Sequence, residues 1–226
     1  MKLHVLVPFV AATVFAACQS AGEDDEDVLE INRVLVIGNS ITYHPIAPDI
    51  GWHADWGMAA SARENDFCSL LEASLLADFP ELAFMRENVY PFERHYDDLD
   101  FEQYAYLKEF AADLLVIRLG ENVNTDKLEG WNFSERLQAF TDYLTGETGA
   151  RIIVTTTFWE NAVVNEQLLH AAGVEGWETV SLSHLGEDEQ YMAIGAFENP
   201  DVARHPNDKG MRAIANLILQ SILARG

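Results

Sequence analysis

Three continuous apolar runs constrain this chain most: Arg33-Val34-Leu35-Val36-Ile37-Gly38, Asp113-Leu114-Leu115-Val116-Ile117-Arg118-Leu119 and Arg151-Ile152-Ile153-Val154-Thr155-Thr156-Thr157. Each is rich in β-branched residues and lacks the polar alternation of a strand with one wet face, so each predicts a strand buried on both sides. Weaker candidates at 82–89 and 178–182 bring the expected number to about five. Helical spacing of apolar residues marks the segments between them, at about 66–78, 101–111, 133–145, 161–172 and 208–223. Strands alternating with amphipathic helices predict a mostly parallel sheet covered on both faces, a three-layer α/β/α sandwich. In such a sheet ligands bind beyond the carboxyl ends of the strands.

Residues 1–17 carry one Lys and then an apolar run too short to cross a bilayer comfortably, ending in small residues. That pattern predicts a signal peptide. The sequence Phe15-Ala16-Ala17-Cys18 resembles a bacterial lipobox, which implies a lipid on Cys18; an ordinary cleaved signal is the alternative. Residues 18–30, dominated by Gly22-Glu23-Asp24-Asp25-Glu26-Asp27, are too charged to pack and predict a tether. No repeat, second charge block or Ser/Pro-rich linker interrupts 31–226, which is expected to be a single domain. With Cys18 lipidated, Cys68 has no partner, so no disulfide is expected and its helical context predicts a small buried hydrophobe.

The 37 acidic and 14 basic residues give a formal charge of -23, whose field repels nucleic-acid phosphates and anionic headgroups. Nucleic acid is therefore excluded as a partner, and membrane contact is expected only through the N-terminal lipid. The histidines show no metal spacing and the two cysteines form no zinc set, so no metal or other cofactor is expected.

Polar residues follow the buried runs where a site should lie: Gly38-Asn39-Ser40-Ile41-Thr42 after the first, Gly120-Glu121-Asn122-Val123 after the run that ends at Leu119, and Arg204-His205-Pro206-Asn207-Asp208-Lys209-Gly210 before the last helix. A Ser just past a buried strand can hold its hydroxyl at a fixed point with its own N–H exposed to a developing oxyanion. Read singly, Ser40 and His205 are helix-capping candidates and Asn122 a turn residue.

Together these stretches resemble the conserved blocks of the SGNH/GDSL hydrolases. Gly38-Asn39-Ser40-Ile41-Thr42 is similar to the Gly-Asp-Ser-Leu block, Gly120-Glu121-Asn122 to the Gly-x-Asn block, and the stretch from His205 to Met211 to the last block. Asp55-Trp56-Gly57-Met58-Ala59-Ala60-Ser61 supplies a candidate glycine block. The resemblance implies a flavodoxin-like fold and a serine esterase. Ser40 is then the nucleophile, His205 its general base, and the N–H groups of Ser40 and Gly57 with the Asn122 amide form the oxyanion hole. The chemistry has physical reasons: a neutral hydroxyl needs a base within hydrogen-bond reach, and an imidazole titrates close enough to neutrality to serve. The chain departs from the family at the third triad member, for Val202 stands three residues before His205 where the family has Asp. Asp201 is the hypothesised replacement; a backbone carbonyl orienting the imidazole, which leaves a Ser-His dyad, is the alternative.

The segment 43–53 is expected to wall the cleft. Trp52 and Trp56 either pack in the core or stack on a sugar ring. Arg118 is either an ion-pair partner at its strand end, the preferred reading, or a substrate contact. The expected activity is hydrolysis of a small-molecule or carbohydrate ester, with short acyl groups, acetyl first, on carbohydrate. O-acyl transfer from the same site, a lysophospholipase or thioesterase activity, and a non-catalytic glycan-binding lipoprotein stay open.

Overall fold

The apolar run at 34–37 forms the middle of β1 (Arg33–Gly38), which lies between two other parallel strands. With β2 (Ala83–Asn88), β3 (Leu114–Arg118), β4 (Arg151–Thr155) and β5 (Glu178–Val180) it builds a five-stranded sheet in the order β2-β1-β3-β4-β5, every neighbouring pair parallel. This computed structural model describes Met1 and residues 31–146 and 148–224, so the expected signal peptide, the Cys18 lipid site and the tether lie outside the described residues.

Side chains alternate across the sheet, as a strand's two-residue period demands. Val34, Val36, Leu114, Val116 and Ile153 point into one core, packed under α1 (Phe67–Asp78) and α7 (Asp208–Leu223). Leu35, Ile37, Leu115, Ile117 and Val154 point into the other. That face is covered by α2 (Tyr90–His95), α3 (Ala105–Glu109), α4 (Asn132–Thr145) and α5 (Ala162–Glu175). The chain is an α/β/α sandwich. Helix α7 shows why its sequence winds this way: Met211, Ile214, Ala215, Ile218 and Ile222 fall on one buried stripe, and the Asn207 side chain caps the first turn by accepting from Gly210 N. Cys68 is wholly buried in α1, and burial pushes its thiol pKa far up, so it acts as a core residue.

Two short helices were not legible in the apolar pattern, α2 and α6 (Pro200–Ala203). Each has Pro in its first turn, where the missing N–H costs nothing. Both border the site.

The sheet reverses its winding between β1 and β3, whose carboxyl ends are neighbours. At the end of β1 the chain folds back tightly over Gly38. A Cβ there would lie 2.0 Å from Thr42 Oγ1 and 2.3 Å from the Arg118 carbonyl oxygen, so glycine is required for the turn that presents Ser40.

Candidate active site

Ser40 follows the β1 turn and His205 follows α6, 165 residues further along the chain, yet Ser40 Oγ lies 2.8 Å from His205 Nε2. The tautomer follows from the other ring nitrogen. Nδ1 lies 2.8 Å from the main-chain carbonyl oxygen of Asp201, which can only accept, so Nδ1 carries the proton and Nε2 accepts from the Ser40 hydroxyl. Burial pushes the imidazole pKa down to about 4; the Asp201 carbonyl opposes the fall, and the positive charge of Arg118 adds to it. Trp159 meets the imidazole ring edge to face at 5.2 Å and limits its movement.

The Asp201 carboxylate does not orient the imidazole. Residues 200–203 form the single helical turn of α6, which aims the carbonyl of residue 201 at residue 205 and leaves the side chain exposed at the cavity edge. The pair therefore has the geometry of a dyad with a neutral main-chain partner.

The oxyanion donors expected from sequence divide in two. Ser40 N–H donates to no protein acceptor among the described residues. Asn122 lines the cavity and gives one N–H of its amide to Glu93 Oε2 at 2.9 Å, which leaves its second N–H for a ligand. Gly57 is different: its N–H donates to the buried Asp66 Oδ2 at 3.2 Å, and Gly57 does not line the cavity. Glycine stands there because a Cβ would come within 2.6 Å of the Ile41 carbonyl oxygen, a packing reason rather than an oxyanion one.

The cavity above Ser40 and His205 has a volume of about 570 Å³. Its walls come from Tyr43, His44, Pro45 and Ile50 after β1, from Glu87, Asn88, Tyr90 and Pro91 at the end of β2, and from Asn199, Asp201 and Val202 around α6. Of the expected wall 43–53, Tyr43, His44, Pro45 and Ile50 line the cavity. The cavity's carboxylates are Glu87 and Asp201, and among the described residues no Lys or Arg lines it. Tyr90 is 48% exposed at this edge.

Three residues considered as substrate contacts lie elsewhere. Trp52 is buried against Trp56 and Phe197, and Trp56 donates its indole N–H to the Ala60 carbonyl, so both hold the loop in place. Arg118 is 0% exposed beneath the cavity, where it donates to Asn39 Oδ1 at 2.7 Å and pairs with Glu121. A buried guanidinium matched by a carboxylate is a structural tie, not a substrate contact.

No protein-family model matches the chain, and no curated protein does. Solved structures do. The chain is similar to LAE5, described as an alpha/beta hydrolase enzyme from the metagenome of Lake Arreo, Spain, at 19% identity and a TM-score of 0.57, covering 86% of this chain and 96% of that one. It is similar to the acetyl xylan esterase AlAXEase at 15% identity and a TM-score of 0.55, covering 84% of this chain and all of the other. A two-domain esterase active on acetylated mannans matches at 18% identity and a TM-score of 0.54, over 84% of this chain and 49% of its own length. The chain has their fold. At these identities the likeness extends to the fold alone.

Sequence reasoning missed the polar layer under the site. Asn39, next to Ser40, donates through Nδ2 to Glu121 Oε2 at 2.5 Å and to Glu93 Oε1 at 3.2 Å. Glu121 also accepts from the Phe158 N–H at 2.7 Å, and so ties the turn after β3 to the chain after β4. Glu121 stood in plain view as the middle residue of Gly120-Glu121-Asn122, a position whose side chain the resemblance leaves unspecified. Glu93 carried no local signal, because its partners are 27 to 54 residues away.

Proposed function

We propose that this chain is a serine esterase of the SGNH/GDSL type that removes short acyl groups, acetyl first, from carbohydrate hydroxyls. The observation that carries the reading is the 2.8 Å contact between Ser40 Oγ and His205 Nε2 at the floor of a cavity that Asn122 also lines. In this reading the Ser40 hydroxyl gives its proton to Nε2 as its oxygen attacks the ester carbonyl. The oxyanion is stabilised by Ser40 N–H and the second N–H of Asn122. The imidazolium then returns the proton to the departing alcohol, leaving an acyl-enzyme. Water enters and gives a proton to Nε2 as its oxygen attacks the acyl carbon; the bond to Ser40 Oγ then breaks, the imidazolium returns the proton to that oxygen, and the acid leaves.

The carbohydrate part rests on three supports. A cavity without Lys or Arg suits an uncharged alcohol, and Glu87, Asn88, Asn199 and Asp201 offer acceptors for its hydroxyls. Tyr90, exposed at the edge, offers the aromatic face that sequence reasoning sought in Trp52 and Trp56. Structural neighbours include an esterase described as active on acetylated mannans and another described as an acetyl xylan esterase. The same reading makes the protein exported and held at the cell envelope by lipid on Cys18; incorporation of a fatty-acid label that is lost in Cys18→Ser tests this part.

The deciding experiment is a series of p-nitrophenyl esters of increasing chain length, with acetate release from acetylated xylo- and manno-oligosaccharides, on wild type and Ser40→Ala. Activity falling by about 10³-fold or more in Ser40→Ala, with the short esters preferred, supports the reading. Turnover surviving in Ser40→Ala overturns the mechanism, and activity confined to long-chain esters overturns the substrate class.

A further inference from the structure

Glu93 is a carboxylate with 0% exposure, set on α2 beneath the cavity floor. Among the described residues no Lys or Arg pairs with it. Its oxygens are filled instead by N–H donors. Oε1 accepts from Gly120 N at 2.6 Å, from Asn122 N at 3.2 Å and from Asn39 Nδ2 at 3.2 Å, and Oε2 accepts from Asn122 Nδ2 at 2.9 Å. A buried charge without a counter-ion is costly, and truncating it or its partners leaves polar groups unsatisfied, so four converging donors are a specific arrangement. Two of the four belong to Asn122, one to its backbone and one to its side chain, and a third belongs to the residue preceding Ser40.

We propose that Glu93 is the positioning residue of the oxyanion site: by holding one side-chain N–H of Asn122 and the backbone of the 120–122 turn, it aims the other side-chain N–H at the reacting carbonyl. The inference rests on the esterase reading of Ser40 and Asn122. An unrestrained amide rotates about its terminal torsion, whose preferences are broad, so its donor would be aimed only part of the time. Fixing it beforehand removes that cost from the chemical step. The effect belongs in kcat, because the oxyanion exists only after attack.

The test is a double-mutant cycle on p-nitrophenyl acetate with Glu93→Gln, Asn122→Ala and the pair, beside Ser40→Ala. A glutamine amide brings N–H groups against N–H groups, so Glu93→Gln is expected to lower kcat about 10- to 100-fold with KM changed less than about threefold. In the Asn122→Ala background the same change is expected to alter kcat by less than about twofold. Equal losses in both backgrounds, or an undiminished kcat in Glu93→Gln alone, overturn the proposal. Ser40→Ala retaining activity overturns the esterase reading instead, so the two failures are distinguishable. If circular dichroism shows Glu93→Gln unfolded, the wild-type protein decides by NMR. One Asn122 side-chain proton is then expected downfield of its partner and slow to exchange with solvent; two protons that both exchange as a free amide overturn the proposal.

Discussion

Burial at the cavity wall keeps the His205 imidazole neutral well below the usual histidine range, down to about 4. The ionisation that limits the free enzyme on the acid side is therefore expected near pH 4, and kcat/KM for an uncharged ester is expected to stay level from about pH 8 to below 6. A pH–rate profile checks this; a fall centred near 6.5 would show an unperturbed imidazole. The same shift acts on stability with a definite sign. An unfolded histidine takes up its proton near 6.5 and the folded one only near 4, so the unfolded state binds more protons in between. His205 thus contributes stability above about pH 6.5 that is lost as pH falls through that window. Thermal melts of wild type and His205→Gln are expected to diverge there. Asp201→Asn, which keeps the carbonyl bonded to Nδ1, is expected to cost less than about fivefold in kcat/KM, against about 10⁴ where a triad carboxylate is replaced. Asn122→Ala is expected to lower kcat about 10²- to 10³-fold, as removal of an oxyanion donor does.

At the scale of elements, the N-terminus of α1 depends on a single buried carboxylate. Asp66 accepts from Ser69 N at 2.7 Å as the helix cap, from Gly57 N at 3.2 Å, and from Arg86 Nη1 at 2.5 Å. Asp66→Ala strands the Arg86 charge and two N–H groups, and is expected to cost about 3–5 kcal/mol, read as a lowered midpoint in denaturant. These elements also show what a sequence can disclose. The runs at 34–37 and 114–117 are apolar because both faces of their strands are covered, so periodicity alone places them. Ser40, His205 and Asn122, which line one cavity, are legible as candidates because each stands just beyond an element end. Glu93 was not, since six residues of helix beginning at Tyr90-Pro91 are too few to show a period, and its meaning lies in four remote donors. Gly57 misled for a related reason: a glycine says that no side chain fits, not which neighbour forbids it.

Over the whole molecule the formal charge is -23, and two of the carboxylates that make it up stand in the cavity wall. Anionic esters, such as acetylated oligogalacturonides, are expected to be turned over with lower kcat/KM than neutral acetylated xylo-oligosaccharides at low salt. The difference should shrink as ionic strength rises and the Debye length falls below about 10 Å, while the neutral substrate responds little. Steady-state kinetics at two salt concentrations checks both halves of this. The anchoring of His205 carries a separate consequence. A group borrowed from the polypeptide itself accompanies every amino acid that position 201 could hold, so alanine scanning would pass over the imidazole's third partner without registering it. Swapping the peptide linkage after residue 201 for an ester would weaken that acceptor and leave every side chain untouched, and would bring the silent participant into view.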